Sequence, residues 1–67
     1  MANKELLRAA IDHSGLKIGY IADQMGISRP TLYKRLENPE TLTGREAKIL
    51  SKLLRLSEND RSRILFG

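Results

Sequence analysis

The chain has 67 residues, of which 40% are hydrophobic and 30% charged, and these values predict a single soluble globular domain spanning residues 1–67. The absence of cysteine and the presence of one histidine exclude a disulfide framework and a zinc site built from thiolates or several imidazoles. Twelve lysines and arginines against eight aspartates and glutamates give a net charge of +4, which suits a polyanionic partner.

Two helices are predicted in the first part of the chain. The first covers about residues 4–14, with Asn3 as its N-cap and Gly15 as its left-handed exit. The second covers about residues 17–25 and ends before Gly26, where a positive φ costs little. The apolar residues that repeat at helical spacing in these segments are Leu6, Leu7, Ala10, Ile11, Leu16, Ile18, Ile21, Ala22 and Met25.

A third helix is predicted over residues 29–37. Ser28 is a favourable N-cap, and Pro30 falls in the first turn, where a missing N–H costs nothing. Leu32 and Leu36 lie four residues apart and therefore share one side of the helix. We expect that side to face the core.

A turn separates the third helix from the fourth. Pro39 disfavours helical backbone geometry at Asn38 and cannot donate a backbone hydrogen bond itself. Thr43 and Glu46 then form the T-x-x-E pattern of a capping box, which predicts the start of the fourth helix. The apolar residues that follow are Ile49, Leu50, Leu53 and Leu54.

A short fifth helix is predicted near the end of the sequence. Ser57 is its N-cap, and Asp60 lies near the positive end of the helix dipole. Leu65 and Phe66 either complete the core or form an apolar patch that pairs two subunits. Because the chain has no valine and no alternating apolar pattern, a sheet is not expected. The predicted fold class is all-α, a compact bundle of about five short helices.

Residues 18–36 combine two short helices with a turn at Gly26. This segment resembles the helix-turn-helix of the phage Cro and repressor family. The resemblance depends on Ala22 where the helices pack closely, on Gly26 in the turn, and on the core positions Ile21, Met25, Ile27 and Leu32. At Arg35 the sequence departs from the motif, because this position is usually apolar and Leu36 supplies the apolar side chain instead. The resemblance implies a repressor-like DNA-binding domain that acts as a Cro-like transcriptional repressor.

The third helix carries the residues predicted to contact DNA. With its leucines in the core, its opposite face presents Arg29, Pro30, Tyr33 and Lys34 to a major groove. Arg29 matches guanine O6 and N7, and Lys34 a base acceptor or a phosphate. Pro30 and Tyr33 suit contact with a thymine methyl group or a sugar. The residues predicted to contact phosphate are Ser28, Thr31, Arg35 and Asn38.

Some of these side chains also have a structural interpretation. Ser28 is an N-cap first, a role that is compatible with a phosphate contact. Tyr33 can instead pack over the edge of the core with its hydroxyl in water. The basic residues can form a solvated cationic face, but no acidic residue interrupts residues 27–36, which favours DNA contact.

The predicted partner is double-stranded DNA, bound at a palindromic operator by a homodimer. Scattered carboxylates and a lone histidine argue against an enzyme, and no cofactor or small-molecule ligand is expected. The main alternative is a protein-binding module, an antirepressor or assembly factor that reuses the helix-turn-helix shape. A membrane-surface helix over residues 48–55 is disfavoured by the capping box. With no membrane span and no secretory signal, a cytoplasmic location is expected.

Overall fold

Short helices account for most of the computed structural model, which describes residues 3–66. In chain order they are α1 (Lys4–Ser14), α2 (Ile18–Met25), α3 (Arg29–Glu37), a 3-10 turn (Pro39–Thr41), α4 (Gly44–Leu53) and α5 (Glu58–Arg61), which continues as a π-helical segment (Ser62–Phe66). Residues 3–66 contain no strand, which confirms the predicted all-α bundle of five helices. The second helix begins one residue later than predicted. None of the described helices is long and apolar enough to cross a membrane.

Four of the helices begin at a polar side chain that accepts a hydrogen bond from the first turn. These N-caps are Asn3 for α1, Ser28 for α3, Thr43 for α4 and Ser57 for α5, as predicted. The capping box of α4 is complete, because Glu46 N donates to Thr43 Oγ1 and Thr43 N donates to Glu46 Oε1, each at 3.1 Å. The remaining helix, α2, has Lys17 as its N-cap, whose side chain accepts no hydrogen bond from the helix.

The core is formed by the apolar faces of α1 to α4 and by the C-terminal segment. Its largest fully buried side chains are Leu7, Ile21, Met25, Leu32, Leu36 and Leu50. At the C-terminal end, Ile64 and Leu65 are buried, whereas Phe66 is 56% exposed. The backbone N–H of Asn3 donates to Ile64 O at 2.9 Å and joins the start of α1 to this segment. Leu65 therefore completes the core of the monomer, while Phe66 lies on its surface.

The turn between α2 and α3 has the geometry of a Schellman motif. Gly26 has φ 71° and ψ 29°, in the left-handed region that favours glycine. Its N–H donates to Asp23 O at 3.1 Å, and the N–H of Ile27 donates to Ala22 O at 3.0 Å. Arg45, from α4, donates through Nη1 to Met25 O at 3.2 Å. The turn is thus closed by its own backbone and covered by a side chain from α4.

The left-handed turn yields the first prediction. Gly26→Ala is expected to lower the free energy of unfolding by about 1–2 kcal/mol, because an L-residue is strained in this backbone region. Space is not the cause, since a methyl group at Gly26 would lie 3.9 Å from Arg45 Nη2, an ordinary contact. Urea unfolding measures the difference. Gly44→Ala is the matched control, because Gly44 is helical and a methyl group there meets no atom within 4 Å. Equal losses in both variants would contradict the backbone explanation.

Candidate nucleic-acid interface

The third helix separates its apolar and polar residues onto two faces. Leu32 and Leu36 are 0% exposed, which confirms that Leu36 takes the apolar position next to Arg35. The residues predicted to contact bases, all exposed to solvent, are Arg29, Pro30, Tyr33 and Lys34. Tyr33 is 46% exposed, so its ring does not pack into the core. The structure therefore exposes all four side chains, with the guanidinium of Arg29 on the side of α3 that faces α2 at Gly19.

The charge on this face is not neutralised by neighbouring acids. None of the four ion pairs found among residues 3–66 involves Arg29 or Lys34. The acid that follows, Glu37, is itself paired, with Lys4 Nζ at 3.3 Å and with Arg8 Nη1 at 3.8 Å. These contacts join α1 to the end of α3 and compensate the negative charge there. The exposed face of α3 is consequently positive.

Two hydroxyl groups lie at the N-terminus of α3. Ser28 Oγ accepts from Thr31 N at 3.3 Å and donates to Thr31 Oγ1 at 2.9 Å. The Ser28 hydroxyl is therefore occupied by capping. The hydroxyl of Thr31 keeps its own proton, which is free to be donated to an anionic oxygen. Of the two residues, Thr31 is the better placed as a donor.

Arg35 lies between α3 and α4 instead of projecting fully into solvent. Its Nε donates to Glu46 Oε1 at 3.0 Å, and the exposed fractions of the two side chains are 28% and 8%. The same carboxylate oxygen accepts from Thr43 N in the capping box. Because the pair uses Nε only, the two terminal nitrogens of Arg35 remain as donors for a ligand. Arg35 thus links two helices in addition to its predicted contact with phosphate.

Asn38 ends α3 and begins the turn to α4. Its backbone N–H donates to Lys34 O at 3.0 Å, and Nδ2 donates to the same oxygen at 3.4 Å. Its carbonyl oxygen accepts from Thr41 N at 2.8 Å and from Thr41 Oγ1 at 2.7 Å. Its side chain is exposed, with Oδ1 outside these contacts. Asn38 is therefore at the surface, although its amide nitrogen helps to close the helix.

Three residues around α3 were not identified from the sequence as neighbours of this face. Arg45 covers the turn before α3, and Glu46 pairs with Arg35. Gly19, on α2, lies beneath the guanidinium of Arg29, and a methyl group at Gly19 would be 2.5 Å from Nη2. Only the capping role of Glu46 could be predicted from a short sequence pattern. The contacts of Arg45 with Met25, of Glu46 with Arg35 and of Gly19 with Arg29 join residues far apart in sequence. Among residues 3–66 no group of three histidine, cysteine, aspartate or glutamate side chains is placed to hold a metal ion.

The pair between Arg35 and Glu46 provides the second prediction. Glu46→Ala is expected to lower the free energy of unfolding by about 2–4 kcal/mol, because it removes an N-cap partner and leaves a half-buried guanidinium without its carboxylate. Glu46→Gln, which keeps both acceptor contacts, should cost less. Lys4→Ala is the exposed control and should cost under about 1 kcal/mol. A loss in Glu46→Ala no larger than in Lys4→Ala, measured by urea unfolding, would exclude this role.

Residues 1–38 match the sequence family described as bacterial regulatory proteins of the Fis family. The matched stretch contains α1, α2 and α3, and so includes the complete helix-turn-helix. Comparisons with curated proteins and with solved structures gave no match. The predicted helix-turn-helix DNA-binding class is confirmed, although the match is to the Fis family and not to the phage Cro and repressor family. Because 38 of the 67 residues are matched, this chain belongs to the Fis family of bacterial regulatory proteins and is a DNA-binding transcriptional regulator domain.

Proposed function

We propose that this domain binds duplex DNA in a sequence-specific manner by inserting α3 into the major groove. The observation that carries the proposal is the solvent face of α3, where Arg29 and Lys34 are exposed and none of the ion pairs among residues 3–66 includes them. A nine-residue helix is about 13 Å long. The major groove of B-DNA, about 12 Å wide, admits an α-helix.

Base recognition is assigned to the first two turns of α3. Arg29 presents a planar fork of donors that matches guanine O6 and N7. Pro30 and Tyr33 offer apolar surface to a thymine methyl group or a sugar, and Lys34 extends to a base acceptor or a phosphate. Phosphate contacts are assigned to the side chains of Thr31, Arg35 and Asn38, and to Ser28, whose hydroxyl proton would then turn from Thr31 Oγ1 to the phosphate. Such contacts fix the register of the protein on the duplex and add affinity without reading sequence.

The proposed mode of regulation rests on the sequence motif. The likeness of residues 18–36 to the phage Cro and repressor motif supports repression, in which the bound protein blocks access to its operator. The protein acts as a homodimer on a palindromic operator, because two copies related by a two-fold axis present two α3 helices to successive major grooves. Phe66 is 56% exposed, and although the Arg61 guanidinium lies over one face of its ring at 5.5 Å from the centroid, the remaining aromatic surface supports a contact between the two copies.

Selection of bound sequences from a random duplex library tests base recognition. The selected duplex should bind about a thousandfold more tightly than unrelated DNA, with affinity that falls steeply as salt is added. Arg29→Ala should reduce the preference at one base position by about 1–3 kcal/mol, because a bidentate contact is lost. Titrations of the selected duplex and its single-base variants measure this preference.

Lys52→Ala is the charge-matched control for Arg29→Ala. Lys52 lines a surface groove between α4 and α5 together with Leu56 and Arg61, and its loss should leave the base preference unchanged. An equal effect of the two substitutions would remove α3 from the proposal. The absence of binding to any duplex would contradict the proposal altogether and favour the protein-binding alternative.

Dimeric binding provides a separate prediction. Phe66→Ser should lower the affinity for the palindromic duplex about tenfold or more, because an aromatic anchor of the pairing surface is lost. The affinity for a duplex with one half-site should stay the same, since the ring is 56% exposed and its removal leaves α3 in place. Mobility-shift titrations of the two duplexes, with sedimentation to count protomers, measure the difference. Equal effects on both duplexes would contradict a role of Phe66 in pairing.

A further inference from the structure

We propose that Gly19 is a positioning residue for Arg29, an inference that rests on the proposed reading of a base by Arg29. The guanidinium of Arg29 lies directly against α2 at Gly19. A methyl group at this position would be 2.5 Å from Nη2, 2.9 Å from Nε and 3.0 Å from Cζ of Arg29. The guanidinium therefore occupies the space that a side chain at residue 19 would fill.

The backbone of α2 does not itself require glycine at this point. Gly19 is the second residue of the helix Ile18–Met25, and among the described glycines only Gly15 and Gly26 have a positive φ. Glycine is a poor helix former compared with alanine, so α2 alone would favour alanine here. What alanine would disturb is the side chain from α3. The role of Gly19 is thus spatial, in contrast to the conformational role of Gly26.

The position of the guanidinium matters because Arg29 has no ion-pair partner within residues 3–66 to hold it. An exposed arginine samples many rotamers and loses that freedom when it binds. Contact with the backbone of α2 restricts the side chain before DNA arrives. A methyl group at Gly19 would move the flexible end of Arg29 and leave the fold unchanged. Recognition at the base pair that Arg29 contacts should then weaken by about two- to tenfold.

A double-mutant cycle of Gly19→Ala and Arg29→Ala tests this role. The measured quantity is the ratio of affinities for the selected duplex and for a duplex changed at the base pair where Arg29→Ala relaxes the preference. Gly19→Ala should lower this ratio about two- to tenfold in the wild-type background and leave it unchanged when Arg29 is already alanine. Gly44→Ala, at a helical glycine with no neighbour within 4 Å of an added methyl group, should not change the ratio.

Thermal unfolding tests whether Gly19→Ala changes DNA recognition only by destabilising the fold. The variant is expected to be at least as stable as the wild type, because alanine is a better helix former than glycine. If Arg29→Ala relaxes no base position, the proposed function fails and the role of Gly19 fails with it. If Arg29→Ala does relax one, the inference alone is overturned by either of two results. One is an unchanged affinity ratio in Gly19→Ala, which includes an equal loss of affinity on every duplex. The other is a fall in the ratio that is equally large with arginine and with alanine at residue 29.

Discussion

The burial of Leu32 and Leu36 is the constraint on which the surface chemistry of this protein depends. The other residues of α3 are polar or charged, apart from Pro30 and Tyr33, and a nine-residue helix is marginal in isolation. Loss of one buried leucine typically costs about 2–5 kcal/mol, whereas an exposed ion pair contributes under about 1 kcal/mol. The two leucines therefore determine the rotation of α3 about its axis. That rotation in turn determines which side chains face solvent.

The rotation of α3 about its axis does not determine its position relative to α4. The carboxylate of Glu46 helps to fix that position. One of its oxygens accepts from Thr43 N and from Arg35 Nε, so the start of α4 and the last turn of α3 are joined at one point. The same contact explains how a charged residue is accommodated at a position that is usually apolar in helix-turn-helix motifs. Arg35 is half-buried because its charge is paired, and Leu36 fills the core beside it.

The parts of the fold that were predicted from the sequence are those set by local patterns. An N-cap and its partner are three residues apart, so Ser28, Thr43 and Ser57 could be recognised together with the apolar spacing that follows them. Contacts between distant residues had no such signal. The pair of Lys4 with Glu37 spans 33 residues, and the approach of Arg29 to Gly19 depends on how α2 and α3 cross. The same holds for Phe66, since its exposure depends on how the π-helical segment packs.

In the proposed binding mode, the arrangement of charge separates affinity for DNA from specificity for its sequence. Glu37 and Asp60 are paired with basic residues, and Glu46 pairs with Arg35, so none of these acids cancels the charge of Arg29 or Lys34. Attraction to phosphates acts over about 10 Å at 0.1 M salt and needs no defined side-chain geometry. Discrimination between bases needs a fixed donor geometry, and an exposed arginine lacks it unless something restricts the side chain. Gly19 of α2 can supply this restriction of the Arg29 side chain at little structural cost. Because glycine has no side chain, it leaves room for the guanidinium against the helix and adds no competing charge.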